Sequence, residues 1–198
     1  MASCPPTRCT AFVGSRRIAS GDLGEVALAI REALADGADA PVLVFDEATS
    51  HPIEFDLRGR PDEVVRRLAD RAPAEPPRRG PGRPRLGVVS REVTLLPRHW
   101  DWLGDQPGGA SVALRKLVDE ARRTNEAKDQ IRRAQEAAYR FMSAMAGDAP
   151  GFEEAARALF AADAVRFALQ TEPWPVDVRD HARTLAAPAL AHPPVTGL

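Results

Sequence analysis

A chain of 198 residues, 44% of them hydrophobic, is long enough for one large domain or two small ones and has the apolar content to bury a core. A formal net charge of −1 commits the whole protein to neither an acidic nor a basic partner. No apolar run approaches the roughly 18 residues of a membrane span, and MASCPPTRCT lacks the basic and apolar regions of a signal peptide, so a cytoplasmic protein with no membrane partner is expected.

Cys4 and Cys9 have no nearby His or second Cys pair to complete a tetrahedral site, so bystander thiols are expected, with no metal and no cofactor. Residues 10–72 read as a small α/β domain. Alternation around Ala11 to Ile18 predicts a strand, and Asp22-x-x-Glu25 opens a helix whose Leu23, Val26, Ala27, Ile30 and Leu34 share one face, ending at Gly37. PVLVFDEATSHPIEFDL, residues 41–57, predicts two strands about a polar turn, with Ile53, Phe55 and Leu57 facing one way and Glu54 and Asp56 the other. His51 beside Asp46 and Glu47 is a nominal acid/base cluster, although a polar hairpin turn is the simpler reading. Pro61 then starts a second helix with Val64, Val65 and Leu68 inward. The order β-α-β-β-α fits a small sheet with helices on one face.

Residues 73–87 change composition to an extended linker, PAEPPRRGPGRPRLG, which has no means of forming a core. The charge is segmental here: 76–140 hold 14 basic and 8 acidic side chains, against 9 and 13 in 1–75 and 4 and 7 in 141–198. Because 25 of the 27 basic residues are Arg, the choice of Arg carries no local message, but the density of Arg78, Arg79, Arg83 and Arg85 does. Gly82-Arg83-Pro84 between arginines resembles an AT-hook, which implies an extended peptide laid along the minor groove of A·T-rich duplex DNA. The same tripeptide at Gly59-Arg60-Pro61 is followed by Asp62 and Glu63, so only the flanking arginines distinguish the two.

Residues 88–123 begin with a β-branched run, Val88 to Leu96, followed by Pro97 at a helix start and a short helix with Leu96, Trp100 and Leu103 on one face. Trp102 lies about 200° around that helix from Trp100. Asp105-Gln106-Pro107-Gly108-Gly109 stops the helix, and Ser111 is a good N-cap for a second, with Leu114, Leu117, Val118 and Ala121 inward. Strand, short helix, glycine turn and capped helix resemble the ribbon-helix-helix family, in which two chains pair their strands into a ribbon that enters the major groove. A homodimer follows on physical grounds as well, since a lone strand leaves its backbone unpaired and about 35 residues make too small a core. The resemblance implies that Gly109, Ala110 and Ser111 hold the DNA backbone at a helix N-terminus. Two strand registers are open. One turns Arg91, Val93 and Leu95 outward; the other, shifted by a bulge, turns out Glu92 and Thr94. Arg91 then meets base or phosphate and Thr94 a base edge, in a mode dominated by the DNA backbone.

Residues 124–187 read as a C-terminal helical region and 188–198 as a flexible tail. Ser111 to Ala146 contain no Gly or Pro, which permits one helix, while TNEAKD at 124–129 is polar enough to mark a break. Ile131, Ala134, Ala138, Phe141, Met142 and Met145 form an apolar stripe, as core or dimer contact. Helices follow around Phe152 to Phe160, Ala164 to Leu169 and Val176 to Ala186, with Trp174 anchoring a loop between two prolines. His181 and His192 have no partners at metal or triad spacing.

The fold class expected is α+β, mainly α. SRRIASGDLGEVALAI, PVLVFDEAT, GRPRLGVVSREVTLLPRHWDWL, QPGGASVALRKLVDEARR, AAYRFMSAMAGDAPGFEEA and WPVDVRDHA resemble, over almost the full length, a bacterial family known as domain of unknown function 2239. That resemblance implies no activity. The central segment therefore carries the expectation: a homodimer that binds duplex DNA as a transcriptional regulator. Two alternatives keep the same unit. One is an antitoxin-like protein whose C-terminal helices bind a protein partner, and the other a scaffold or sensor that dimerises without DNA. No P-loop, strand-linked GxGxxG, HExxH or GxSxG occurs, so no catalytic residues and no enzyme are expected.

Overall fold

The computed structural model of the protein describes residues 8–60, 63, 64, 66, 67, 89 and 91–191. The chain divides into two compact units, one from segments 1–74 and 129–198 and the other from 75–128. The elements in order are β1 (Arg8–Val13), β2 (Arg16–Asp22), α1 (Leu23–Ala35), β3 (Val42–Asp46), α2 (Pro97–Gly104), α3 (Gly109–Ala146), α4 (Phe152–Phe160), α5 (Ala164–Thr171) and α6 (Val176–Leu190). The class is mixed α+β, mainly helical, with a three-stranded antiparallel sheet near the N-terminus.

Alternation predicts one strand over Ala11 to Ile18, but the chain makes a hairpin there. Gly14, at φ 55, supplies the left-handed turn residue, and β1 and β2 pair antiparallel with a bulge between Ala11 and Phe12. β1 also pairs antiparallel with β3, so the sheet order is β2-β1-β3. Its central position buries both faces of β1, which explains why CTAFV is apolar almost throughout. Cys9, Ala11 and Val44 pack with Val26 and Ile30 of α1 on one face. Phe12 and Phe45 join Phe141, Met142 and Leu159 on the other. Asp22 caps α1 as its spacing from Glu25 predicts, accepting from the Glu25 N–H at 2.9 Å.

The second strand expected after β3 is reduced to one bridge between Phe45 and Pro52. Pro52 has no N–H to give to a ladder, and the Asp46 carboxylate organises the turn before it. That carboxylate accepts from the amides of Ala48 and Thr49 at 3.0 and 2.8 Å and from the Thr49 hydroxyl at 2.7 Å. Asp46 and His51 thus belong to a polar turn. Ile53, Phe55 and Leu57 are half-buried and Glu54 and Asp56 exposed, so the alternation persists without the ladder. Through β3 the order is ββαβ where βαββ was expected. Glu63, Val64, Arg66 and Arg67 are helical, with Val64 buried against Ala27; Val65 and Leu68 lie outside the described residues.

α3 runs unbroken for 38 residues through TNEAKD. Residues 115–128 are exposed on every side, and a fully solvated helix is polar without being interrupted. Further along α3 the apolar stripe is core: Ala138, Phe141 and Met142 are buried, and Ile131, Ala134 and Met145 half-buried. Segment 129–198 belongs to the same compact unit as the N-terminal sheet. α5 and α6 extend beyond the expected ends, so residues 188–190, expected in the tail, are helical. Pro188 removes one backbone bond in the last turn, while buried Ala186 and Ala189 keep that turn packed. Residues 192–198 lie outside the described residues.

Trp174 is buried and its indole N–H donates to the Pro150 carbonyl at 2.9 Å, tying the loop before α6 to the loop before α4. Gly151, at φ 79, leads into α4, and a Cβ there would lie 2.9 Å from the Gln170 carbonyl oxygen. Gly151→Ala is therefore expected to cost about 1–3 kcal/mol, read as a lower midpoint of thermal unfolding.

His181 is buried edge-on against Phe141 and Phe12, with ring centroids 4.6 and 5.5 Å away. Burial, reinforced by Arg17 and opposed by Glu47, holds its pKa below the ordinary 6.5. The unfolded chain therefore binds a proton that the folded chain resists. The stability contributed by the neutral ring is complete above pH 6.5 and is lost as the pH falls from there through the folded pKa. His181→Phe is expected to flatten that limb of the stability profile, measured by urea unfolding between about pH 5 and 8.

Candidate nucleic-acid interface

Arg78, Arg79, Arg83 and Arg85 of the linker lie outside the described residues. The other candidates fall in the unit formed by 75–128. Residues 91–96 approach α2 without helix or turn, and Leu96, the N-cap, has extended backbone at φ −69, ψ 151. They form no strand and pair with none among the described residues, where a strand over Val88 to Leu96 was expected to pair with a second copy. A ladder needs a second edge, and none of the described residues supplies it. Arg91 and Thr94 are exposed, as are Glu92 and Val93.

Pro97 occupies the first position of α2, where its missing N–H costs nothing. Of the face expected to be buried, Leu103 is 3% exposed, but Leu96 and Trp100 are 48% and 43% exposed. A different set converges. Leu95, His99, Trp102 and Leu103 meet Leu114 and Leu117 of α3 around an apolar hollow of about 280 Å³. Leu95, His99, Trp102 and Leu103 follow helical spacing just as Leu96, Trp100 and Leu103 do, so the signal was present.

The turn between the helices is built on glycine. Gly108 and Gly109 have φ of 87 and 75, and a Cβ on Gly108 would come within 3.2 Å of Val112. α3 begins at Gly109, so Ser111 lies in its first turn rather than capping it. The glycines make the turn that a side-chain cap was expected to end. The three residues expected to hold phosphate are not equivalent, since the Gly109 N–H already donates to the Gln106 carbonyl at 2.9 Å. Ala110 and Ser111 lie in the first turn, where amides have no intrahelical acceptor and the helix dipole favours an anion.

The inward face expected for this part of α3 is uncovered: Leu117 and Val118 are 49% and 54% exposed, Ala121 is exposed and Leu114 half-buried. Among the described residues of this unit, the buried hydrophobics are Leu103 and Ala113. Arg98, Lys116 and Arg122 are exposed, Arg115 donates to the Ser111 carbonyl at 3.1 Å, and Arg123 pairs with Glu120 at 3.2 Å. Elsewhere, Cys9 is buried and its thiol is pushed up to about 11, chiefly by that burial. Among the described residues no group of His, Cys, Asp and Glu is arranged to hold a metal ion, and no helix is long and apolar enough to cross a membrane.

No curated protein matches the chain, and no solved structure does. A family model described as an uncharacterized protein conserved in bacteria does match, over residues 8–186. With most of its length covered, the chain belongs to that family, DUF2239.

Proposed function

We propose that this protein is a homodimeric DNA-binding protein, acting in the bacterial cytoplasm as a transcriptional regulator and without a catalytic step. The observation that carries the reading is the open apolar face in the 75–128 unit, set beside a segment, 91–96, with neither helix nor turn and no strand partner among the described residues. The two hydrophobics buried among the described residues of this unit are little core for it, whereas a second copy against Leu95, Trp102, Leu114 and Leu117 would bury what is exposed. The same docking brings two 91–96 edges together, as in the ribbon-helix-helix proteins that the segment resembles. The two paired edges make the ribbon, the first turn of α3 holds phosphate, and the linker arginines enter a minor groove.

The test is a gel-shift titration of the full chain against random duplex. Binding is expected to weaken by roughly a hundredfold or more between about 50 and 200 mM salt, as several phosphate contacts require. Arg83→Ala combined with Arg85→Ala is expected to weaken binding to A·T-rich duplex by about tenfold and to G·C-rich duplex less. Equal retention of parent and variant on both would remove the linker from the mechanism. A second reading, an antitoxin-like protein, is favoured by Val165, Leu169 and Val176, which are 82%, 68% and 60% exposed on the C-terminal helices. Co-purification of a small protein lost on Leu169→Asp would support it.

A further inference from the structure

The backbone of β3 turns its hydrogen-bonding groups alternately to two sides. Pro41 and Glu47, which flank the strand, bond to Gly14 and Arg8 on the β1 side, whereas Val44 and Asp46 bond away from it, to Ile53 and His51. Val42, of the same parity as Val44, therefore presents its N–H and C=O to the free edge. The Ile53 N–H donates to the Val44 carbonyl at 2.8 Å, and that register continued would set Phe55 against Val42. It stops short. Phe55 and Leu57 pack instead with Ala27 of α1 and Val64, and Arg31 of α1 donates to the Leu57 and Gly59 carbonyls, so the segment is tied to the helix. A hollow of about 470 Å³ is left between it, α1 and β3, walled by Ile30, Leu34, Val42, Ile53, Phe55 and Leu57. Among the described residues, the Val42 N–H and C=O and the Val44 N–H meet no hydrogen-bond partner on that edge. We infer that this hollow binds a small neutral ligand built around one capped apolar amino-acid unit, whose N–H and C=O pair with Val42.

Each part of that description follows from the walls. The hollow has the size of a small-molecule site, and a mostly apolar lining with a few fixed polar groups is the usual make-up of one. In an extended amino-acid unit the N–H and the C=O point the same way, so both meet Val42, donor to acceptor and acceptor to donor, as in an antiparallel pair. The free stretch of edge is short. The Val44 carbonyl and the Asp46 N–H are already taken by Ile53 and His51, which leaves room for one such unit and not for a long added strand. No basic side chain lines the hollow and Glu54 does, so a free carboxylate is disfavoured and the unit must be capped at both ends. The hollow belongs to the unit formed by 1–74 and 129–198, so the inference does not rest on the DNA-binding reading.

Titration calorimetry and amide NMR of the full chain test this, with N-isovaleryl-leucine isobutylamide as the probe. The parent is expected to bind it with a Kd on the order of 100 µM, while the Val42 and Val44 amide resonances move. The ester analogue, in which oxygen replaces the leucine N–H, should bind about tenfold more weakly, and free leucine should not bind. Leu34, 45% exposed, is a position from which a larger ring fills the hollow, so Leu34→Trp should weaken the probe by about tenfold or more. Val42→Pro removes the outward N–H, a change that an edge strand tolerates, and should weaken it by about tenfold. Circular dichroism checks that both variants keep the parental fold. Equal binding of the ester, parental binding by both variants, resonance changes confined to other residues, or no binding at millimolar probe would overturn the inference. A capped hexapeptide of alternating valine and threonine that binds about a hundredfold more tightly than the probe would overturn it too, making the edge a strand-docking site.

Discussion

Replacing Leu117 with Asp is expected to separate the dimer and abolish DNA binding together. Leu117 lines the hollow between α2 and α3 and is 49% exposed among the described residues, so on the proposed dimer a second copy would cover it. Two copies of the change remove two apolar contacts and place two carboxylates in the seam, at roughly 2–3 kcal/mol per side chain. Association weakens by about a thousandfold or more. Sedimentation equilibrium should show a monomer where the parent is a dimer, and the gel shift should vanish at the same protein concentration. The sheet-containing unit should keep its unfolding transition, because Leu117 lies outside it. A variant that stays dimeric would place the seam elsewhere.

Phe141→Ala is expected to cost about 3–5 kcal/mol of stability in the unit formed by 1–74 and 129–198. Phe141 is fully buried and meets Phe45, Phe12 and His181 at centroid distances of 5.2, 5.4 and 4.6 Å. It is the point where the sheet, α3 and α6 converge, so the cavity left by alanine has rigid walls and little means of closing. Urea unfolding followed by circular dichroism reads the loss as a lower midpoint. Phe141→Leu, which conserves more volume, should lose less than half as much. A cost below about 1 kcal/mol for Phe141→Ala would contradict the packing described.

Local features were legible in the sequence because their causes are local. Asp22 and Glu25 announce the start of α1, Pro97 the start of α2, and Phe152 follows a glycine at the start of α4. The turn between Val13 and Arg16 takes only two residues, Gly14 and Ser15, so the hairpin is hidden in what reads as one strand. Pro52 ends a ladder that composition alone would continue. Which faces meet was not legible. Nothing in the spacing of Phe12 and Phe45 says that their partners are Phe141, Met142 and Leu159, close to or more than a hundred residues away.

The candidate interface posed a further difficulty. Apolar residues at helical spacing look the same whether their cover is the same chain or a second one. Leu114, Leu117 and Val118 share a helical stripe expected to face inward, yet Leu117 and Val118 are exposed among the described residues. The alternation of residues 91–96 left two registers open because both faces carry polar and apolar side chains.

The claim on which the account depends is that two copies of the segment around Thr94 lie side by side and face DNA. Spin labels attached at Thr94→Cys, in a Cys4→Ser background with Cys9 shielded by its burial, measure that arrangement directly. Adjacent strands lie about 5 Å apart, so the account predicts label-to-label distances between two copies below about 20 Å, with motion of the labels restricted on addition of duplex DNA. Labels that remain uncoupled between copies, or that are coupled yet indifferent to DNA, would contradict it.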